Sequence, residues 1–200
     1  MIHPDTEIRY INAEKGYGVV AKKLIPKGTI TWVLDKLDRE FSLIEIDQMD
    51  PIYKDIIGTY TFRNNKGGFV LCWDNGRYVN HSFNSNCITT AYDFEIAIRD
   101  IQPGEELTDD YGYLNITEPF DAIDESDERK TVYPDDLLKY YELWDNKLSA
   151  AFPNIIKVEQ PLKSLLSQEM WQKVVNISNN KEKMDSILNC YFDESKIKNK

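Results

Sequence analysis

Two polar runs hold the side chains best equipped for chemistry in this chain of 200 residues: Arg77-Tyr-Val-Asn-His-Ser-Phe-Asn-Ser-Asn86 and Glu106-Leu-Thr-Asp-Asp-Tyr-Gly112. Tyr111 joins an apolar ring to a hydroxyl, a combination suited to lining a channel while orienting an amine or a methyl group. Asp109 is small and polar; its carboxylate can hold a water, stabilise an ammonium ion, or turn to solvent. Gly16-Tyr17-Gly18 is a place where the main chain can lie close against a ligand, because glycine has no Cβ to obstruct it. Each has a plainer reading when taken alone. Asn80-His81 reads as turn residues, Gly16-Tyr17-Gly18 as a β-turn, Tyr17 as a solvent-facing ring, Tyr78 as a core aromatic and Tyr111 as a half-buried structural residue.

The elements that must hold these residues are short. Glu7–Asn12, Tyr17–Lys22, Thr29–Leu34, Tyr60–Arg63 and Phe69–Trp73 are rich in β-branched and aromatic residues, and Ile88–Tyr92 and Glu95–Arg99 follow. Turn signals separate them at Pro26-Lys-Gly28, Asn64-Asn-Lys-Gly-Gly68 and Asp74-Asn-Gly76, and Pro103-Gly104 ends the last. This predicts a mainly β, β-rich α+β domain of small sheets over residues 1–120. Residues 121–200 change character. Asp121–Lys130 is charge-rich and reads as an exposed loop, and Pro134-Asp-Asp136 opens a helix with proline in its first turn. Leu137, Tyr141, Trp144, Leu148 and Ala151 recur at three and four, which makes one apolar stripe. Leu162–Val175 and Lys183–Tyr191 read as two further helices, and Ser195–Lys200 as a frayed end. The second part is therefore an acidic loop and a helical extension docked on the first.

Composition narrows the function classes. The 34 acidic and 24 basic residues give a net charge of -10, which argues against a nucleic-acid backbone or an anionic membrane as direct partner. No apolar run approaches the ~20 residues of a membrane span, and the opening residues lack the order of a signal peptide; the expectation is a soluble intracellular chain. Cys72, Cys87 and Cys190 are scattered and odd in number, which predicts reduced, packed thiols. With His3 and His81 the only histidines, a histidine-rich metal centre is excluded in practice.

In their order along the chain, Gly16-Tyr17-Gly18, Arg77–Asn86 and Glu106–Gly112 resemble the signature of the SET-domain lysine methyltransferases. That pattern is approximately Gly-x-Gly, then Arg-Phe-Ile/Val-Asn-His-Ser-Cys-x-Pro-Asn, then Gly-Glu-Glu-Leu-Thr-x-Asp-Tyr-Gly. The resemblance covers about Ile8 to Phe120. It implies a SET fold of small β-sheets with a knot-like passage near Asn80, His81 and Tyr111. It also implies S-adenosyl-L-methionine as methyl donor, S-adenosyl-L-homocysteine as product, and the side-chain amine of a protein lysine as acceptor. Tyr111 then takes the catalytic orienting role. Gly16, Tyr17, Gly18, Tyr78, Asn80, His81 and Phe120 fall to the cofactor, and Asp109 to the substrate channel.

The departures from the pattern are coordinated. Phe83 stands where the family has the cysteine of Asn-His-Ser-Cys, and Ala122 where a post-SET Cys-x-Cys would begin, so no zinc is expected. The helices between Tyr133 and Tyr191 then become the candidate for completing the wall of the lysine channel. Ser85 replaces a proline, and Asp109 replaces the usual Phe or Tyr, which leaves the number of methyl groups open. Glu118, Asp121, Asp124, Glu125, Asp127 and Glu128 would concentrate a basic substrate, although a solvated loop is the commoner reason for such a run. A lysine-containing protein or peptide is the expected partner, and the sequence is silent on oligomeric state. Two rival readings remain open: a catalytically weak SET-derived interaction module, and methylation of a non-lysine acceptor.

Overall fold

The computed structural model describes residues 1–122 and 129–196. Asp124, Glu125, Asp127 and Glu128 of the acidic run, and the last four residues of the expected frayed end, lie outside the described residues.

The chain begins with a hairpin of β1 (Thr6–Asn12) and β2 (Gly16–Ala21), followed by β3 (Ile30–Val33) and β4 (Arg39–Phe41). Two helices come next, α1 (Leu43–Asp47) and α2 (Pro51–Tyr60), then β5 (Thr61–Arg63) and β6 (Phe69–Leu71). The middle of the chain holds β7 (Asn80–His81), β8 (Cys87–Thr89), β9 (Phe94–Ala97) and β10 (Thr108–Asp109). It closes with β11 (Phe120–Asp121), β12 (Thr131–Val132), α3 (Asp136–Ala151) and α4 (Gln168–Ser178). The strands pair into small sheets, of which the three-stranded ones run β3-β9-β8 and β4-β6-β5. The sequence-predicted strands are all present, some shortened at an end. Helices α1 and α2 were not anticipated, yet each has a start signal. Ser42 and Glu45 form a reciprocal capping box, and the Asp50 carboxylate accepts the Ile52 N–H ahead of Pro51.

Helix α3 follows the expected stripe: Leu137, Trp144, Leu148 and Ala151 are buried. The tail after it differs from expectation. Residues 162–175 are not one helix, because Ser167 caps a new start by accepting the Met170 N–H, and only a 3-10 turn at Lys163–Leu165 precedes it. In the stretch 183–191 only Ile187–Cys190 is helical, as a single 3-10 turn. The Asp145 carboxylate accepts from Ser186 Oγ (2.6 Å) and the Ile187 N–H (2.8 Å), and this tertiary capture fixes the chain where a longer helix would run on.

Two hydrophobic clusters form the interior. One, around Val19, Ile25, Trp32, Val79, Ile101 and Leu107, lies within the first part of the chain. The other joins Ile88, Phe94, Ile96 and Tyr113 to Trp144, Leu148, Phe152, Ile155 and Ile177 of the helical tail. The apolar stripe of α3 thus finds its partner in the β3-β9-β8 sheet and the turn in which the second polar run ends.

Candidate active site

The two polar runs meet. Strands β7 and β10 pair in parallel, Thr108 opposite Asn80 and Asp109 opposite His81, and the Ser82 N–H donates to the Asp109 carbonyl at 2.8 Å. Two-residue strands make few ladder bonds, so side chains supply the rest. Buried Asn86 donates to the Glu106 carbonyl (2.7 Å) and accepts the Thr108 N–H (3.0 Å), fixing the second run on the first from both sides of Leu107. Tyr111 follows as the start of a 3-10 turn, Tyr111–Tyr113. Its N–H donates to His81 Nδ1 (3.1 Å) and its hydroxyl to the Val79 carbonyl (2.6 Å). Burial pushes the Tyr111 phenol well above its ordinary range, with the charges of Asp109, Glu106 and Glu95 adding to the effect. It stays protonated at neutral pH.

Strand β2 reaches the same crossing through Asn80. The Asn80 amide donates to the Tyr17 carbonyl (3.0 Å) and to Glu106 Oε1 (2.7 Å). At Gly18 a Cβ would lie 2.3 Å from Glu106 Oε1 and 2.9 Å from Asn80 Nδ2, so this position must be glycine for Asn80 to sit where it does. Gly16 is different: it has φ +71° and open space where a side chain would begin. Tyr17 is exposed and packs edge-on to Tyr10. Beyond Asn80 the rings converge. His81 meets Phe83, Tyr111 and Phe120 at centroid distances of 4.5, 5.4 and 5.6 Å. Tyr78, in contrast, packs edge-on against Tyr60 of α2.

A cavity of about 470 Å³ opens beside Tyr111. Trp32, Phe62, Phe69, Val79 and Phe120 form much of its wall, and α2 contributes Gly58, Thr59 and Tyr60. Three acids line it as well, Asp109, Glu95 and Glu118. Asp109 is buried and accepts the Tyr113 hydroxyl at 2.9 Å, so its side chain turns inward and not to solvent. Glu95 of β9, which sequence reasoning passed over, hydrogen-bonds to it. Burial pushes the Asp109 carboxyl up to about 6, against the hydrogen bonds from Tyr113 and Glu95. Glu95 is raised well above its ordinary value by burial and then by the Asp109 charge. Both carboxyls are thus pushed up by burial, and the pair holds a proton to higher pH than separate, exposed carboxyls would.

Linkage gives this a stability signature. Because the folded state raises the Asp109 pKa, the associated stability is complete below about pH 4 and is lost as pH climbs through about 6. Asp109→Asn cannot ionise, so its stability relative to the parent will improve by roughly 1–3 kcal/mol between pH 4 and pH 7. Urea denaturation of both proteins at the two pH values measures it, and a gap independent of pH contradicts the burial of this charge.

On the far side of His81 stands a second unanticipated residue. Arg129 bridges the carboxylates of Asp110 and Asp136, and its guanidinium lies 4.4 Å from the ring centres of both Phe83 and Tyr140. Asp136 is also the first residue of α3, where it accepts the Tyr133 N–H at 3.0 Å. The side chain at the cysteine-replacing position thus packs against an ion-paired arginine that ties the second run to the helical tail. Among the described residues no group of three or more His, Cys, Asp or Glu side chains is placed to hold a metal ion.

Residues 16–112 match the model of the SET domain, so the match runs from the first glycine of β2 to the glycine that follows Tyr111. Over these residues, just under half of its length, the protein is similar to the SET-domain family. It is similar to "Histone-lysine N-methyltransferase Set2" of Drosophila melanogaster, 32% identical over 115 residues that cover 50% of this chain and 5% of that protein. It is also similar to "Variant-silencing SET domain-containing protein" of Plasmodium falciparum (isolate 3D7), 28% identical over 208 residues that cover 96% of this chain and 8% of that protein. The chain thus spans only a small part of the length of either relative. No helix among the described residues is long and apolar enough to cross a membrane.

Proposed function

We propose that the protein transfers a methyl group from S-adenosyl-L-methionine to the side-chain amine of a protein lysine. The observation that carries this reading is the position of Tyr111. Its ring lines the apolar cavity, its hydroxyl is held on the Val79 carbonyl, and its backbone is anchored on His81 beside Asn80. The residues around Asn80 fit the donor: open space flanks Gly16, both amide hydrogens of Asn80 are engaged so that its Oδ1 is left to accept, and His81 and Phe120 present adjoining rings.

When bound, S-adenosyl-L-methionine supplies a sulfonium methyl group open to in-line displacement. No protein nucleophile is then required, and the work of the chain is to position, desolvate and exclude water. The aromatic and aliphatic walls of the cavity take up the lysine stem. The oxygen of Tyr111, with its proton committed to Val79, accepts from the amine and aligns it. Gly16, Tyr17, Gly18, Asn80 and His81 with Phe120 hold the donor, and Tyr78 supports that wall through α2.

Tyr111→Phe should leave the fold and donor affinity nearly unchanged and slow single-turnover methyl transfer at least about tenfold, or ~1.4 kcal/mol of barrier; equal rates would remove the orienting role. Asn80→Ala should weaken donor binding by roughly 1–3 kcal/mol. Because Asn80 also ties Tyr17 to Glu106, the calorimetric titration must be made on variant shown to be folded, and parental affinity in it counts against the assignment. The reaction itself is tested by radiolabelled methyl transfer onto native lysate with identification of the modified residue. Donor binding without transfer to any acceptor would favour an interaction module.

A further inference from the structure

The cavity ends on chemistry that the orienting role of Tyr111 does not use. Asp109 of β10 and Glu95 of β9, hydrogen-bonded to each other, both line the pocket, whose other walls mix aromatic and aliphatic side chains with Thr59, Thr61, Thr89, Asn115 and Glu118. The lone pairs can be counted. Asp109 accepts from Tyr113 and from Glu95, and a carboxylate has about four acceptor sites, so about two remain. The basic side chains on the cavity wall are engaged elsewhere: Arg63 pairs with Glu194 and lies over Phe192, and Arg77 donates to the Trp73 carbonyl. The other groups facing the pair are Tyr111, Tyr113, Cys87, Cys72, Asp110 and, at longer range, the N-terminal amine. None of the side chains among them brings a positive charge.

Trp32 stands beside the pair. Trp32 lines this cavity, is 5% exposed, and has an indole N–H with no hydrogen-bond partner among the described residues. Trp32 is the cross-strand partner of Glu95, so the two side chains are same-face neighbours.

We propose that Asp109 and Glu95, with Trp32 beside them, form an ammonium site that recognises the substrate lysine by its positive charge and by its N–H donors. The inference rests on the cavity being the lysine channel, as in the proposed function. An alkyl stem against the aromatic side chains with an ammonium head on Asp109 matches three features of the pocket: its apolar surfaces, aromatic faces that attract cations, and the free acceptor sites of the carboxylate. A fully methylated amine has the charge but no N–H to donate. The site therefore favours unmodified lysine and lysine with few methyl groups, and disfavours the trimethylated form.

The test needs no turnover. Full-length protein is titrated calorimetrically with n-butylammonium, with n-butanol as its uncharged counterpart and with N,N,N-trimethylbutylammonium as the cation lacking N–H groups. The expected order is primary ammonium at least about tenfold tighter than the alcohol and several-fold tighter than the quaternary ion. The double variant Asp109→Asn, Glu95→Gln, which keeps shape and the Tyr113 bond, should lose the preference for ammonium over alcohol. Parent protein that binds the alcohol or the quaternary ion as well as the primary ammonium overturns the proposal without recourse to any variant. So does a folded double variant with undiminished preference. Failure of methyl transfer in the parent would sink the proposed reaction, and these titrations would still decide whether the ammonium site exists.

Discussion

Replacing Arg129 with methionine will cost about 3–5 kcal/mol of folding stability at neutral pH, the range for removing one partner of a buried ionic group. Asp110 and Asp136 are each 1% exposed, and Arg129 is the cation that both carboxylates share. Methionine roughly fills the space against Phe83, Tyr140 and Trp144, so the loss reports charge rather than a cavity. Burial already pushes the Asp110 carboxyl up even with the arginine in place. Without it Asp110 will be driven further toward its neutral form, which is easier to bury, so the deficit should narrow as pH falls from 7.5 to 5. Urea denaturation at the two pH values checks both the size and the direction. A loss below ~1 kcal/mol would mean that the carboxylates find other partners.

Ending the chain at Phe120 will have a larger effect still. Seven buried residues of the shared cluster precede that point, including Ile88, Phe94, Ile96 and Tyr113, and ten follow it. Exposing a large apolar side chain forfeits about 1.5–3 kcal/mol, and a domain's whole stability is about 5–15 kcal/mol. Stripping the partners from several such residues therefore exceeds what the first part can supply. Residues 1–120 alone should be poorly soluble, without a cooperative thermal transition and without donor binding. A soluble fragment with parental donor affinity and turnover would show the helical tail to be a separate unit.

Much of this architecture was legible because it is local. The strand pattern, the turns at Pro26-Lys-Gly28 and Asp74-Asn-Gly76, and the stripe of α3 are short-range signals, whereas the crossing was expected only from the resemblance of the two polar runs to the SET-domain signature. The residues that escaped notice depend on contacts distant in sequence. Glu95 lies between Phe94 and Ile96 in an alternating strand, where an acid reads as facing solvent; only the return of β10 puts Asp109 against it. Arg129 sits in a charge-rich stretch that reads as loop, and nothing local reveals two buried carboxylates waiting for it. The capping box at Ser42 and the Asp50-Pro51 start were visible, but strand-like surroundings on both sides obscured two short helices. In the tail, Asp145 overrides a local tendency at Lys183–Tyr191, and a capture of that kind is written in the fold rather than in the segment.

The parallel pairing of β7 with β10 also governs the order in which the molecule can assemble. Its partners are separated by the whole of β8, β9 and their connections, and it returns few hydrogen bonds for the loop it closes. Such a contact gains its strength only after the β3-β9-β8 sheet has brought Asn86 into place to receive Glu106 and Thr108. The hairpin and the capped helices can form early, whereas Tyr111, Asn80 and the Asp109–Glu95 pair reach their positions in a late step. A nascent or partly folded chain would then have most of its secondary structure before β7 and β10 meet, and their crossing would be the last part of the fold to close.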